Sequence, residues 1–581
     1  MCGIWGVLAR NSYDISIAKQ ALNLLYHRGP DQYGEWYDSK VYLGHRRLSI
    51  LDTSENGKQP MMANDVVITV NGEIYNFRTL KKELIKNNFF KSDSDSEVVL
   101  HGYHEWGIDE LVKRIDGMYA ICIYDLRKQK IYLIRDRVGI KPLYFGDNGN
   151  QVVWSSELQS IVEYYGEDQL SIDYTAIYDY LTYLYIPAPK TMYKNIYKLK
   201  PAHYVEIDLN SLKYESYQYW KLETKEIKIE VNEAAYQLYK LIDKSVDEQL
   251  MSDVPIGFFL SGGLDSSVVV ATASNKIKHL VANTIGFNDK EHDEIQYAKI
   301  VADKFQADHN VEVLNSINVS DNIHKMKEWY IEPFADTSAF PSYLVSEYTR
   351  KSCTVALTGD GGDEVFGGYN WYKKFEKIKK IQTLPFPLSL NSIKNLKRKY
   401  TSFHKYLNKL EYFSLTDDLE LYARLMGGLI KHEKQDYKKS WGIDDFYDDY
   451  WYFRQHYKTD IGGLKRLQYL DFHTYLPDDI LTKVDRVSMR VSLEARVPLL
   501  SKEIIEYMFS LPNEIIYHNG ELKGLLKYAY KDILPQKIIN RDKRGFSIPY
   551  TKWKRDLSTT QYATKQEMIL REQYSSIIKS V

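Results

Sequence analysis

Several features are scarce or missing in this sequence of 581 residues. It contains 3 cysteines, Cys2, Cys122 and Cys353, which are too few for a disulfide framework or a cysteine-rich metal site. It has no apolar run long enough to cross a bilayer. Its N-terminus also lacks the basic and apolar regions of a signal peptide. We therefore expect a cytoplasmic protein.

An excess of charge of either sign is also missing. The chain has 77 Lys and Arg against 78 Asp and Glu, so its formal net charge is −1. This balance indicates neither a nucleic-acid surface nor a basic membrane anchor, and we expect no nucleic-acid or membrane partner. Hydrophobic residues make up 44% and charged residues 27%, as in folded globular proteins, and the length predicts more than one domain.

The beginning of the chain offers a nucleophile. A small second residue favours removal of Met1, which would leave Cys2 with a thiol and a free α-amine. The amine has a pKa of about 7.7–8.0, so a useful fraction is neutral at working pH. A thiol beside such a base is an activated nucleophile. Taken alone, a single cysteine near the start of a chain is weak support for catalysis.

Six short motifs follow, separated by β-rich segments. The opening Cys2–Leu8 predicts a buried strand and Ser16–Tyr26 a helix. Asn71-Gly72, between two β-like runs, predicts a turn. Each motif alone is more typical of turns than of catalysis. The motifs are His27–Asp31, Gly44–Ile50, Asn71–Asn76, Ser94–Glu97, Asp116–Ala120 and Arg135–Pro142.

In this order after an N-terminal cysteine, the motifs resemble those of the class II glutamine amidotransferases. The resemblance covers residues 2 to about 205. It implies an α+β domain, the four-layer αββα sandwich of N-terminal-nucleophile hydrolases. It also implies that the thiolate of Cys2 attacks the glutamine side-chain amide. Ammonia would leave, and a γ-glutamyl thioester would remain for hydrolysis.

The resemblance also implies roles for individual residues. Cys2 is the nucleophile, and the Asn71 amide and Gly72 N–H are donors to the developing oxyanion. Arg47 can grip the α-carboxylate of glutamine with two parallel hydrogen bonds. Asp95 can hold the α-ammonium group. The remaining expected members of the glutamine site are Leu48, Ile50 and Glu73.

A polar stretch over 207–231 separates two regions of the sequence. We predict a first domain over 2–210 and a second over 225–581. Apolar residues at helical spacing predict a helix over Asn232–Met251 at the start of the second domain.

The second domain contains a glycine-rich loop between a strand and a helix. The strand Ile256–Leu260 runs into Ser261–Ser267, and the helix Val268–Ser274 follows. This order places backbone N–H groups and a positive helix end against phosphate. The loop has neither the Walker A ending nor the G-x-G-x-x-G spacing.

The S-G-G-x-D-S pattern of this loop resembles the PP-loop of the ATP pyrophosphatases, which split ATP between its α- and β-phosphates. The resemblance implies that Asp265 helps to hold Mg²⁺. The expected ATP and pyrophosphate site consists of Leu260, Ser261, Gly262, Gly263, Leu264, Asp265, Ser266, Ser267, Ile285, Thr358 and Gly359.

Alternating strands and helices then predict an α/β architecture. Strands over Leu280–Phe287 and Thr354–Leu357 and a helix over Tyr297–Phe305 favour a doubly wound parallel sheet. Ligands of such sheets bind at the carboxyl ends of the strands. Residues 371–475 read as helical additions.

The segment Thr358–Tyr369 carries three acids in a glycine-rich loop. It is either a solvated acidic turn or a loop that binds Mg²⁺–pyrophosphate and a substrate. On the second interpretation, Asp265 and Asp363 are the expected metal ligands. The expected acceptor and metal–pyrophosphate region consists of Asp265, Asp360, Asp363, Glu364 and Lys483.

The whole set of motifs, in this order, resembles that of the glutamine-hydrolysing asparagine synthetases. Within Arg541–Pro549, a charged run that is more often a solvated face, Lys543 matches a lysine that stabilises charge as pyrophosphate leaves. The resemblance implies that ATP, with Mg²⁺, adenylylates aspartate and releases pyrophosphate. Ammonia then attacks β-aspartyl-AMP to give asparagine and AMP.

One departure leaves the acceptor open. The segment Ala335–Pro341 stands where enteric and animal synthetases carry Arg-x-Ser-Thr-Pro, and the α-carboxylate of aspartate needs a cation. Another carboxylate, such as a uronic acid of a surface polysaccharide, is the alternative acceptor. A glutamine sensor without catalysis is disfavoured by the intact motif residues, and a β-lactam-forming enzyme by the retained Cys2. The oligomeric state is open, with a homodimer as one expectation.

Overall fold

The computed structural model describes residues 1–287, 294–314, 326–383, 412–543 and 570. Antiparallel sheets occupy the chain up to residue 218, and a parallel sheet begins at residue 256. Across the described ranges, no helix has both the length and the apolar character needed to span a membrane.

The first region contains two six-stranded antiparallel sheets. Their orders are β10-β8-β9-β1-β3-β2 and β12-β11-β7-β6-β5-β4. The strands are β1 (Cys2–Ala9), β2 (Gln32–Tyr37), β3 (Val41–Arg47), β4 (Met61–Ala63), β5 (Val66–Ile74), β6 (Gly117–Asp125), β7 (Lys130–Arg135), β8 (Tyr144–Asp147), β9 (Gln151–Ser155), β10 (Ile196–Lys198), β11 (His203–Asp208) and β12 (Tyr214–Gln218).

Alternation along β1 explains how the layers pack. Ile4 and Leu8 point into a core between the two sheets, where they join Val67 and Cys122 of the second sheet. Trp5 and Val7 point the other way, into a core with helix residues. Because successive strand residues face opposite sides, one strand serves both cores. The four-layer αββα sandwich predicted from the sequence is confirmed.

The helices of the first region cover the outer faces of the sheets. The helix predicted over Ser16–Tyr26 runs from Ile15 to Asn23, and the Asp14 side chain caps it by accepting hydrogen bonds from Ser16 N and Ile17 N. The helices are Ile15–Asn23, Phe77–Leu84, Glu97–Arg114, Leu158–Tyr165 and Tyr174–Tyr183.

The turn predicted at Asn71-Gly72 is wrong. Both residues lie inside β5, where Asn71 pairs with Ala120 and Gly72 with Tyr119. Gly72 has a φ of 151°, and a Cβ at this position would lie 1.9 Å from the carbonyl oxygen of Met118. The glycine therefore permits close backbone approach between strands rather than a chain reversal.

The first region extends into the polar segment 207–231. Strand β12 pairs with β11 along its whole length, with His203 opposite Gln218 and Ile207 opposite Tyr214. The second sheet therefore reaches residue 218, whereas the domain limit predicted from the sequence lies at 210.

Among its described residues, the second region is built on a five-stranded sheet in the order β15-β14-β13-β16-β17. All of its strand pairs are parallel, which confirms the predicted doubly wound sheet. The strands are β13 (Ile256–Phe259), β14 (Val281–Phe287), β15 (Asp308–Leu314), β16 (Val355–Leu357) and β17 (Glu494–Arg496).

The strand order reverses between β13 and β16. The chain passes from β13 outward to β14 and β15, and then returns to β16 on the other side of β13. The loops after β13 and β16 therefore diverge and open a crevice at the carboxyl end of the sheet. Both glycine-rich motifs of the second region lie there.

Helices surround this sheet and form the expected additions. The predicted helix Val268–Ser274 begins earlier, at Leu264, directly after the glycine-rich loop. The helices are Val231–Gln249, Leu264–Ala273, Ile295–Lys304, Met326–Tyr330, Ala339–Arg350, Gly362–Phe366, Asn370–Gln382, Asp418–Met426, Gln435–Ser440, Trp451–His456, Gly463–His473, Leu481–Met489, Lys502–Ser510, Asn513–Ile516, Gly524–Tyr530 and Gln536–Ile539. Residues 384–411 of the region read as helical, and 544–549 of the charged run, lie outside the described residues.

Candidate active sites

Cys2 is held at the edge where β1 meets β3. Its backbone N–H donates to Asn71 Oδ1 at 2.9 Å, and its carbonyl oxygen accepts from Arg28 Nε at 3.0 Å. The side chain is buried, and burial raises the pKa of the thiol, while the N-terminal amine and Arg47 oppose the shift. The backbone of Cys2 is therefore held by two residues distant in sequence, Arg28 and Asn71.

Asn71 is oriented by the residue that it is expected to assist. Because Asn71 Oδ1 accepts from Cys2 N, the amide nitrogen faces elsewhere, and its contact with Ser156 Oγ is long, at 3.5 Å. The side chain is fully buried. A fixed, weakly engaged N–H beside a thiol is the arrangement that an oxyanion donor needs. The oxyanion role of Asn71 and Gly72 stays a prediction.

Arg47 lies beside Cys2, to which it is paired across β1 and β3. Its Nη1 donates to Gln32 Oε1 at 2.7 Å, and its Nη2 donates to the carbonyl oxygens of Leu51 at 2.9 Å and Asp52 at 2.7 Å. The guanidinium group thus holds the loop after β3 in place. Gripping a glutamine carboxylate with these nitrogens requires that some of these bonds be exchanged.

Two buried carboxyl groups lie side by side near Cys2. Asp95 Oδ2 accepts from Ile74 N at 2.7 Å, and burial raises the pKa of Asp95 to about 6. Burial, and then the charge of Asp95, raise the pKa of Glu73 well above its usual value. Such a pair favours a cation between or beside its members. Arg496 already supplies one cation, 3.6 Å from Glu73, and the expected role of Asp95 in holding an α-ammonium group stays a prediction.

Leu48 and Ile50 contribute backbone contacts. Leu48 N donates to the carbonyl oxygen of Met1 at 3.1 Å. The carbonyl oxygen of Ile50 accepts from Asp253 N of the second region at 3.0 Å. The loop that Arg47 holds therefore also docks against the second region.

The second region reaches into the site around Cys2, which was not predicted from the sequence. Glu494 Oε2 lies 2.8 Å from the amine of Met1, the residue whose removal is expected to free Cys2, and Arg496 Nη2 lies 3.6 Å from Glu73 Oε1. Arg28 donates to both carboxylate oxygens of Asp485, at 2.8 and 3.0 Å. None of these contacts was predicted from the sequence, because each joins segments hundreds of residues apart.

The second site is a cleft of about 830 Å³ at the carboxyl ends of β13 and β16. Most of the residues expected to bind ATP, pyrophosphate and the acceptor line it together. They are Leu260, Ser261, Gly263, Leu264, Asp265, Ser266, Ile285, Thr358, Gly359, Asp360, Asp363, Glu364, Lys483 and Lys543.

Gly262 and Ser267 support the glycine-rich loop but do not line the cleft. Gly262 has a φ of 67°, and a Cβ there would lie 2.4 Å from Ala298 N. Ser267 is fully buried, and its hydroxyl donates to the carbonyl oxygen of Gly263 at 2.6 Å. These two residues shape the loop, whereas their predicted contact with phosphate stays untested.

Contacts made by its own serine side chains hold the glycine-rich loop together. Ser261 Oγ accepts from Gly263 N at 3.2 Å and lies 3.2 Å from Ser266 Oγ. The helix Leu264–Ala273 then starts with its N-terminus at the cleft. Free N–H groups at a helix start attract phosphate oxygens, so the geometry suits a phosphate chain.

A cluster of two lysines and two acids faces this loop. Lys523, which the sequence reading missed, pairs with Asp265 and lies 2.6 Å from Asp363 Oδ1. Lys543 lies 2.6 Å from Asp363 Oδ2 and 3.6 Å from the centre of the Tyr369 ring. Burial alone would raise the pKa of Asp363, but the two lysines hold it well below its usual range. Because the lysines and the acids pair with one another, they can remain charged although they are buried.

Asp265 and Asp363 fit the metal role predicted for them. Asp265 Oδ1 is buried and has no hydrogen-bond partner among the described residues. Within the same ranges, no group of three or more His, Cys, Asp or Glu side chains could hold a metal ion by itself. Mg²⁺ in nucleotide sites commonly takes one or two carboxylates plus phosphate oxygens, so two acids beside this loop are compatible with the metal role, which stays a prediction.

Two family models match the chain. Residues 1–220 match the model described as a glutamine amidotransferase domain, and residues 237–573 match the model described as asparagine synthase. The chain is 32% identical to glutamine-hydrolysing asparagine synthetase 1 of Bacillus subtilis, over 95% of this chain and 88% of that protein. It is 26% identical to the synthetase numbered 3 from the same organism, over 100% of this chain and 94% of that protein.

Fold, sites and matches together define a two-part enzyme, a glutamine amidotransferase domain joined to an ATP-using ligase domain. More specifically, the chain belongs to the asparagine synthase family.

Proposed function

We propose that this enzyme converts L-aspartate, L-glutamine, ATP and water to L-asparagine, L-glutamate, AMP and diphosphate. The observation that carries this proposal is the position of Arg496 between the two sites. Its guanidinium group lies 3.6 Å from Glu73 in the glutaminase site, and its carbonyl oxygen accepts from Thr358 N in the ATP cleft at 2.9 Å. One residue of β17 therefore contacts both centres, which supports a reaction that couples them.

The glutaminase half-reaction begins with Cys2. Removal of Met1 frees the nitrogen that now donates to Asn71 Oδ1, and this amine then takes the thiol proton. The thiolate attacks the amide carbon of glutamine, and Asn71 and Gly72 donate to the oxyanion. The amine returns its proton to the leaving ammonia, and water hydrolyses the thioester to glutamate.

The synthetase half-reaction takes place in the cleft. The loop Ser261–Ser267 and the helix behind it hold the phosphates, while the aspartate β-carboxylate attacks the α-phosphorus of ATP. Lys523 and Lys543 stabilise the negative charge that gathers on departing pyrophosphate. Asp265 and Asp363 would hold Mg²⁺, which when bound neutralises phosphate charge. Ammonia from the first site then displaces AMP.

The acceptor is aspartate rather than a uronic acid on this proposal. The relatives compared with the chain are named asparagine synthetases, which favours the amino acid. Cytoplasmic location, the absence of nucleic-acid partners and a homodimer remain expectations that accompany the proposal.

The proposal is tested by supplying ATP, aspartate and glutamine labelled with ¹⁵N in its side-chain amide, together with unlabelled ammonium. We expect asparagine and AMP in equal amounts, with the label retained in the asparagine amide while glutamine is saturating. An amide that follows the isotope composition of bulk ammonium would contradict direct transfer. AMP formation with glucuronate but none with aspartate would contradict the acceptor.

A further inference from the structure

One cation of the ATP cleft stands apart from the phosphate cluster. Lys523 and Lys543 both pair with Asp363, whereas Lys483 Nζ lies 3.0 Å from Asp336 Oδ2 and donates to Ser338 Oγ at 2.8 Å. An ammonium group has three N–H donors, and these two contacts engage two of them among the described residues. Lys483 is thus available to a second substrate.

Asp336 is fixed in position by its own loop. Its Oδ1 accepts from Ser338 N at 2.8 Å, and its Oδ2 accepts from Ser338 Oγ at 2.8 Å. Both Asp336 and Ser338 line the cleft. The carboxylate is therefore oriented before any ligand arrives, which lowers the entropic cost of binding.

The surroundings of Lys483 carry more negative than positive charge. Burial lowers the pKa of Lys483, but Asp336, Asp360 and Asp479 outweigh this effect and raise the pKa above its ordinary value. Lys483 itself is 5% exposed. Lys483 offers a fixed positive charge to an anionic group of a ligand. The surplus of carboxyl groups around it favours a ligand that also carries a cation.

An α-amino acid brings both charges on one carbon atom, whereas a uronic acid brings a carboxylate and neutral hydroxyl groups. We propose that Lys483 binds the α-carboxylate of the acceptor and that Asp336 binds its α-ammonium group, so that this pair restricts the acceptor to aspartate. This inference rests on the proposed function. It also supplies the cation whose absence from Ala335–Pro341 had left the acceptor open.

The test is the release of pyrophosphate with three acids: L-aspartate, β-alanine, which lacks the α-carboxylate, and succinate, which lacks the α-ammonium group. In Lys483→Gln, we expect the preference in kcat/KM for aspartate over β-alanine to fall about tenfold or more, while the preference over succinate is kept. In Asp336→Asn, we expect the opposite pattern. A ratio measured on one protein does not change when only part of a preparation is folded.

Lys373→Gln and Asp542→Asn are matched controls, because both residues line the same cleft and are exposed. Their preferences should equal those of the unchanged enzyme. Equal preferences in Lys483→Gln and the unchanged enzyme would overturn the inference. If Lys483→Gln releases no pyrophosphate with any acid, equilibrium binding of labelled aspartate and β-alanine decides in the same way. Activity of the unchanged enzyme with glucuronate but not aspartate would instead overturn the proposed function.

Discussion

The geometry around Cys2 allows the loss of glutaminase activity on changing Asn71 to be predicted quantitatively. Its Oδ1 is committed to Cys2 N at 2.9 Å, so its buried amide nitrogen is the group left to meet the oxyanion. Removing one such donor costs a factor of about 10²–10³ in kcat, or about 2.7–4 kcal/mol. Asn71→Ala also removes the acceptor for Cys2 N, a bond worth about 0.5–1.5 kcal/mol.

We therefore expect Asn71→Ala to lower glutamate release from glutamine by at least about a hundredfold. Asparagine formation from saturating ammonium should be unchanged, because the ATP cleft does not contain this residue. Thr69→Val is the matched control. Thr69 lies two residues earlier on the same face of β5, is equally buried, and its hydroxyl has no hydrogen-bond partner among the described residues.

Three results would refute the oxyanion assignment. One is a loss of less than about tenfold in Asn71→Ala, which is the effect of an ordinary hydrogen bond. Another is an equal loss in ammonium-dependent synthesis, which would indicate a general structural defect. The third is an equal loss in Thr69→Val, which would show that any change in this strand is harmful.

Three further predictions address stability and the second site. Arg28→Met removes two direct hydrogen bonds to the buried carboxylate of Asp485 and leaves it the longer contact with Lys141 Nζ, at 3.8 Å. Unfolding in urea should therefore show a loss of up to about 3–5 kcal/mol, and an unchanged midpoint would contradict the inter-domain ion pair. Lys523→Met should lower ammonium-dependent synthesis about tenfold or more and spare glutaminase activity; loss of both would place Lys523 outside the phosphate chemistry. Burial raises the pKa of Glu364 from 4.5 to about 7, so the folded state holds its proton more tightly than the unfolded chain does. The contribution of Glu364 to the free energy of unfolding is therefore complete below pH 4.5, and roughly 3 kcal/mol of it is lost as the pH rises to about 7. Glu364→Gln should remove this pH dependence, which urea midpoints measured across this pH range would show.

Local patterns in the sequence predicted the elements that local chemistry determines. The alternation in Cys2–Leu8 predicted β1, and the strand–loop–helix order predicted the glycine-rich loop at Ser261. Both patterns depend on side-chain period and on backbone freedom at neighbouring residues, and these can be read directly. The family resemblance added the residues of both sites, which the structure gathers into two places.

Contacts between distant segments could not be predicted in this way. Asn71-Gly72 has the composition of a turn, yet pairing with β6 keeps both residues inside a strand. Lys523 and Arg496 have ordinary neighbours in sequence, and their importance comes from partners hundreds of residues away. Pairing between strands overrides the local turn preference of Asn71-Gly72, and contacts with distant segments create the roles of Lys523 and Arg496.

The most direct test of the account compares two nitrogen sources in Cys2→Ala, with aspartate and ATP present in both cases. Cys2 lies in the glutaminase site and does not line the ATP cleft. We predict that the variant makes no asparagine from glutamine, yet makes it from ammonium at the rate of the unchanged enzyme. Asparagine formed from glutamine by the variant, or loss of activity with both nitrogen sources, would contradict two separate centres linked by ammonia.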